Sequence, residues 1–109
     1  FTFLTQSELH LLIEFGPDYM PSQINLGLSQ LRLGQINQAR ATYEDALLRQ
    51  PDNPAIHKNL GLIYSGKNET LDKAIYHLQE YLRLAPSQPD GAQIQTRIEA
   101  LRRQSQKPG

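Results

Sequence analysis

INLGLSQLRLGQINQARATYEDALLRQP, running from Ile24 to Pro51, is the stretch whose pattern decides how this chain folds. Its Leu26-Gly27 is answered by Leu60-Gly61 after 34 residues, Ala39 by Ala74 after 35, and Pro51 by Pro86 after 35. Self-similarity at such a period marks units that cannot each bury an apolar face alone and so stack on one another. Within the stretch the apolar spacing is helical. At about 100° per residue, Leu26 and Leu33 fall on one side of a first helix, with Ile24, Leu28 and Leu31 almost opposite. Gly34 supplies the turn. Ile36 to Arg49 forms a companion helix with Ile36, Ala39, Tyr43, Ala46 and Leu47 on its apolar stripe. Ala39 and Ala46 are small where two helices must cross closely, as Gly27 is on the facing helix, so Leu26, Gly27, Ala39, Tyr43 and Ala46 are expected to hold the pair together.

Outward from this stretch the pattern continues in both directions. Pro51-Asp-Asn-Pro54 resets the chain, with Asn53 as a helix cap and Pro54 at the first helical position, where a missing N–H costs nothing. Residues 54 to about 66 repeat the first helix, with Leu60, Gly61 and Tyr64 inward. The turn from Gly66 to Thr70 holds one extra residue, because Leu-Gly recurs at 34 and the later Ala at 35. Thr70 to Leu84 repeats the companion helix through Leu71, Ala74, Ile75, Leu78, Tyr81 and Leu82. Residues 89–103 carry one apolar stripe of Ile94, Ile98 and Leu101, the pattern of a capping helix, and the polar residues 104–109 are expected to be disordered. On the N-terminal side, Asp18 caps a helix that runs from Met20 to Leu33 and tolerates Pro21 in its first turn. Before it, Thr5-Gln-Ser-Glu8 makes a capping box ahead of the apolar Leu9, Leu11, Leu12, Ile13 and Phe15, and Gly16-Pro17 stops that helix. Residues 1–17 are expected to be the second helix of a partial repeat, within a single domain of residues 1–109 whose units span 20–53 and 54–88.

Composition excludes several function classes. Eleven Lys and Arg balance eleven Asp and Glu, so no summed field draws the protein to nucleic acid or an acidic membrane. With no cysteine there is no disulfide, thiolate chemistry or cysteine-built zinc site. No apolar run approaches the roughly 20 residues of a membrane span. The first residue is Phe, which suggests a fragment of a longer chain, and the compartment stays open, cytoplasmic or extracytoplasmic. No Gly-rich phosphate loop, Ser or Cys elbow or HExxH motif is present, and no cofactor or small-molecule substrate is expected.

Leu26-Gly27, Gly34, Ala39, Tyr43, Ala46 and Pro51, followed by Leu60-Gly61, Tyr64, Ala74, Leu78 and Pro86, resemble the consensus of the tetratricopeptide repeat, TPR. The chain departs from that consensus at Gln23 and His57, where an aromatic is usual, at Gln30, at Tyr81 where a small residue is typical, and at the inserted turn residue. The resemblance implies an all-α, right-handed superhelix of antiparallel helix pairs with a C-terminal capping helix. Its first helices would line a concave surface that binds peptides, extended segments or helices of other proteins. A non-catalytic protein-interaction module is thus the leading expectation. Self-assembly through the N-terminal helix and a regulatory appendage of a larger enzyme or membrane protein are the alternatives.

The expected partner-binding groove follows by repeat phase. Ile24, Leu28 and Leu31 correspond to Lys58, Leu62 and Ser65, and then to Ala92, Thr96 and Glu99. Asn25, Asn59 and Gln93 form a parallel row. The set Ile24, Asn25, Leu28, Leu31, Lys58, Asn59, Leu62, Ser65, Gln93 and Thr96 would run from apolar to polar, leucines burying apolar anchors and amides meeting main chain. The competing reading makes Ile24, Leu28 and Leu31 plain core. Some members of the family clamp chaperone carboxylate tails. Here only Asn59, with Asn25 one repeat earlier, matches that clamp, and Ile24, Leu28, Pro89 and Gln93 stand at its remaining places. His10, His57 and His77 lack the spacing of a helical metal pair and read as packed or surface residues. Asp18, Asp52, Asp72 and Asp90 sit near helix starts and read as caps or dipole partners. Arg102-Arg103 with Lys107 reads as solvated tail, and Asn68-Glu69-Thr70 fits a glycosylation acceptor by letter alone.

Overall fold

A computed structural model describes the backbone of residues 20–107 and the side chains of residues 23–107. Five α-helices and no strand are present among the described residues: α1 (Met20–Arg32), α2 (Ile36–Arg49), α3 (Pro54–Tyr64), α4 (Leu71–Leu84) and α5 (Gly91–Ser105), with a 3-10 turn at Asn68–Thr70. The chain divides into two units, residues 1–51 and 52–109. The expected partial repeat at 1–17, with its capping box and His10, lies outside the described residues, as does Asp18.

In the first unit, Gly34 closes α1 with a backbone φ of +77°, the left-handed conformation that glycine adopts without a Cβ penalty. The Gln35 N–H returns to the Gln30 carbonyl at 2.9 Å and the Gly34 N–H to that of Leu31 at 3.0 Å. These two bonds satisfy carbonyls the helix would otherwise leave bare. The chain reverses and α2 packs antiparallel on α1: Thr42 Oγ1 donates to Gln30 Oε1 at 2.7 Å, and the Tyr43 hydroxyl donates to the Ile24 carbonyl at 3.3 Å. Gly27 lies beneath the Tyr43 ring, where a Cβ would sit 2.5 Å from Cζ. Ala39, Tyr43 and Ala46 are fully buried, as expected.

Leu26 and Ile36 depart from expectation, being 36% and 46% exposed. Leu26 lies about 100° around α1 from Gly27, off the face that meets α2. Ile36 is the first residue of α2, and a helical side chain leans over the turn before it, which here is the exposed Gly34-Gln35 connection. The pair is held by Gly27, Ala39, Tyr43 and Ala46.

In the second unit Asn53 caps α3: its Oδ1 accepts the Ala55 N–H at 2.9 Å, with Pro54 at the first helical position. α3 and α4 form the antiparallel pair equivalent to α1 and α2. Gly61 takes the place of Gly27; a Cβ there would meet Leu78 Cδ2 at 2.6 Å. The inserted residue sits in the turn, but the turn closes differently. Gly34 is the only positive-φ glycine among the described residues, and in the second unit Thr70 Oγ1 instead donates to the Tyr64 carbonyl at 2.6 Å across the 3-10 segment. The companion helices end alike: Gln50 and Ala85, each before a proline, adopt φ of −135° and −136°. α5 then packs along α4 in the opposite direction, with Gly91 near Leu82 at one end and Gln104 Nε2 on Asn68 Oδ1 at 2.8 Å at the other. Ile94, Ile98 and Leu101 are buried, the stripe expected of a capping helix. The helix runs through Gln104 and Ser105, two residues into the segment expected to be disordered, and Gln104 is fastened there by its Asn68 contact.

Candidate functional site

Each first helix presents a face to solvent beside the one it buries. On α1, Asn25 is exposed, while Ile24, Leu28 and Leu31 are half-buried, so the structure gives these three apolar side chains partial cover. On α3, Leu62 is 37% exposed and Lys58 and Asn59 are half-buried, as is Ser65 just past its end. On α5, Gln93 and Thr96 are exposed. Two hydroxyls of the expected groove are committed elsewhere: Ser65 Oγ donates to the Leu62 carbonyl at 2.6 Å and Thr96 Oγ1 to that of Ala92 at 3.0 Å. Their own helices consume the donors.

The second unit holds an open cleft of about 440 Å³ lined by Lys58, Tyr81, Gln88, Pro89, Asp90 and Gln93. Lys58 comes from α3, Tyr81 from α4, and the remaining four from the approach to α5 and its first turn. Lys58 Nζ pairs with Asp90 Oδ2 at 2.6 Å, and the Tyr81 hydroxyl donates to Asp90 Oδ1, also at 2.6 Å. The ammonium lies 5.5 Å from the centroid of the Tyr81 ring, within range of its negative face. Lys58 holds the Asp90 carboxyl below the ordinary carboxylate range, with the Tyr81 hydrogen bond adding to the effect. Burial, followed by the bond to Asp90, pushes the Tyr81 phenol up to about 12.

Asp90 therefore corrects the expectation of a plain cap. It precedes α5, but its carboxylate makes no cap hydrogen bond and turns to Lys58 and Tyr81. The helix start is served by main chain, through the Ile94 N–H to the Asp90 carbonyl at 3.0 Å. Sequence reasoning placed Lys58 and Gln93 in the site and missed Tyr81, Gln88, Pro89 and Asp90. The departure at Tyr81 from the small residue usual there was the available signal, because a phenol in that place needs a hydrogen-bond partner once buried.

The histidines also meet where spacing along the chain could not show it. His57 on α3 and His77 on α4 are buried, and their Nδ1 atoms lie 2.9 Å apart, one donating and the other accepting. Tyr64 stacks on His77 with ring centroids 5.8 Å apart, and Tyr76 meets both imidazoles edge-on. This is a polar seam inside the helix pair, in keeping with the packed reading of both residues. Among the described residues no group of three or more His, Cys, Asp or Glu could hold a metal ion, and no helix is long and apolar enough to cross a membrane.

Paired antiparallel helices with a glycine at each crossing, a proline after each companion helix and a final amphipathic helix define a helical-hairpin repeat protein. A model of the tetratricopeptide repeat matches residues 24–89, more than half of the chain, and the chain belongs to that family. A comparison with curated proteins gave no match. Tetratricopeptide repeats generally serve protein–protein interaction and are typically not catalytic.

Proposed function

We propose that this chain is a non-catalytic interaction module that takes an extended segment or a helix of a partner protein on its first-helix faces. The observation that carries the reading is the solvent-facing surface of α3 and α5: Leu62 stands 37% exposed beside Asn59, and Lys58 and Gln93 line the adjoining cleft. An apolar anchor with amides beside it suits a chain that must bury one side chain while its main chain is hydrogen-bonded. On α1 the equivalent face carries Asn25 with the half-buried Ile24, Leu28 and Leu31, which offer apolar contact and few hydrogen bonds.

The test uses peptides selected on the wild-type protein from an unbiased display library. Leu62→Glu should weaken capture by about tenfold or more, as expected when a central apolar anchor is lost, while the helical circular-dichroism signal and cooperative melting persist. Unfolding of the variant would make Leu62 core and remove the groove.

A further inference from the structure

We propose that Asp90 makes the α3–α5 cleft a charge filter, which accepts a neutral extended segment and turns away an acidic one by occupying Lys58 from within the fold. This rests on the reading of the first-helix faces as the binding surface and adds the segment chemistry that this end accepts.

The argument starts from the charge lining the cleft. Its residues include one cation, Lys58, and one anion, Asp90, joined at 2.6 Å; Gln88, Pro89, Gln93 and the protonated Tyr81 are neutral. The two charges cancel. Lys58 is also tied to the ring of Tyr81, and both carboxylate oxygens of Asp90 are engaged, Oδ2 by Lys58 and Oδ1 by Tyr81. A ligand carboxylate that approached Lys58 would compete with an anion anchored in the same fold, whose effective concentration a free peptide does not match. If it displaced Asp90, that carboxylate would still be fastened to Tyr81, and two like charges would share the cleft. A cationic segment meets the converse difficulty, since Asp90 is already engaged and Lys58 repels it. A neutral segment disturbs none of these bonds and finds the exposed Gln88 and Gln93 amides and the Pro89 ring.

The experiment compares two hexapeptide libraries on wild-type protein and on Asp90→Asn. One library is neutral and amidated; the other carries two fixed Asp or Glu positions and a free C-terminal carboxylate. Asparagine can still accept the Tyr81 hydroxyl, so the substitution removes the competing charge and leaves the tether. Wild type should retain the neutral library about tenfold or more over the acidic one. Asp90→Asn should raise retention of the acidic library by about tenfold, and adding Lys58→Met should abolish that gain. Should Asp90→Asn lose helical structure, Asp90→Ser, which also supplies an oxygen before α5, gives the same reading. Wild-type preference for the acidic library at Lys58 and Gln93 overturns the filter and leaves the groove standing, as does a gain in Asp90→Asn that survives loss of Lys58. If neither library binds either protein at the first helices, the groove fails and the filter fails with it.

Discussion

At the scale of single residues, Tyr81 and Asp90 titrate in opposite directions: burial and then the bond to Asp90 raise the phenol, while Lys58 and then the bond to Tyr81 lower the carboxyl. The Tyr81 phenol, held neutral by burial and by the adjacent carboxylate, ionises at about 12 in the folded protein against 10.0 for a free phenol. A folded value above the unfolded one contributes stability that is complete below pH 10 and is lost as pH rises from about 10 toward 12. Asp90 runs the other way, because its folded value is depressed. Its contribution is present above the unfolded carboxyl pKa of 3.8 and is lost as pH falls through the lower folded value. Tyr81→Phe should therefore flatten the alkaline fall in stability and remove a phenol that titrates at about 12 from the ultraviolet absorbance titration. Unchanged alkaline behaviour in that variant would mean that Tyr81 is not the group responsible. None of this coupling is readable along the chain, because Asp90 lies nine residues from Tyr81 and Lys58 lies on another helix. The His57 and His77 pair escaped for the same reason. Spacing along one helix tests for a pair on that helix and is blind to a partner on the next.

At the scale of helices, the glycines divide into two kinds that substitution should separate. Gly61 is demanded by packing: a Cβ would sit 2.6 Å from Cδ2 of the fully buried Leu78 and 3.3 Å from the Ala74 carbonyl, which backbone holds in place. Gly61→Ala should destabilise by about 1–3 kcal/mol, the range for overpacking a filled core. Gly34 is demanded by conformation, since a Cβ there would meet nothing within 4 Å while the backbone φ is +77°. Gly34→Ala should cost about 1 kcal/mol of left-handed strain, and Gly34→Asn less, since asparagine tolerates that region. Urea denaturation of the three variants checks the order, and equal losses for Gly34→Asn and Gly61→Ala would sink the distinction. The helix pairs themselves were readable because their causes are local or periodic. A glycine facing Tyr43, alanines at a crossing, Asn53 before Pro54 and a proline after each companion helix all leave marks in one sequence. The exposure of Leu26 and Ile36 was not readable, since apolar character alone does not say which quarter of a helix meets its neighbour.

At the scale of the whole molecule, the repeat defines the family, and the faces left over by the repeat define the candidate site. The second unit carries the better-developed surface, where Leu62, Asn59, Lys58 and Gln93 stand at or near solvent. An alternative surface exists on the same unit, because α4 exposes Tyr76 to 54%, with Gln79 and Arg83 also exposed on that helix. The two make different predictions, and amide chemical-shift mapping of the isotope-labelled protein with a library-selected peptide distinguishes them most directly. The largest shifts should fall on Lys58, Asn59, Leu62, Gln93 and Thr96, with Tyr76, Gln79 and Arg83 nearly unmoved. Shifts concentrated at Tyr76, Gln79 and Arg83, with the first helices quiet, would contradict the account.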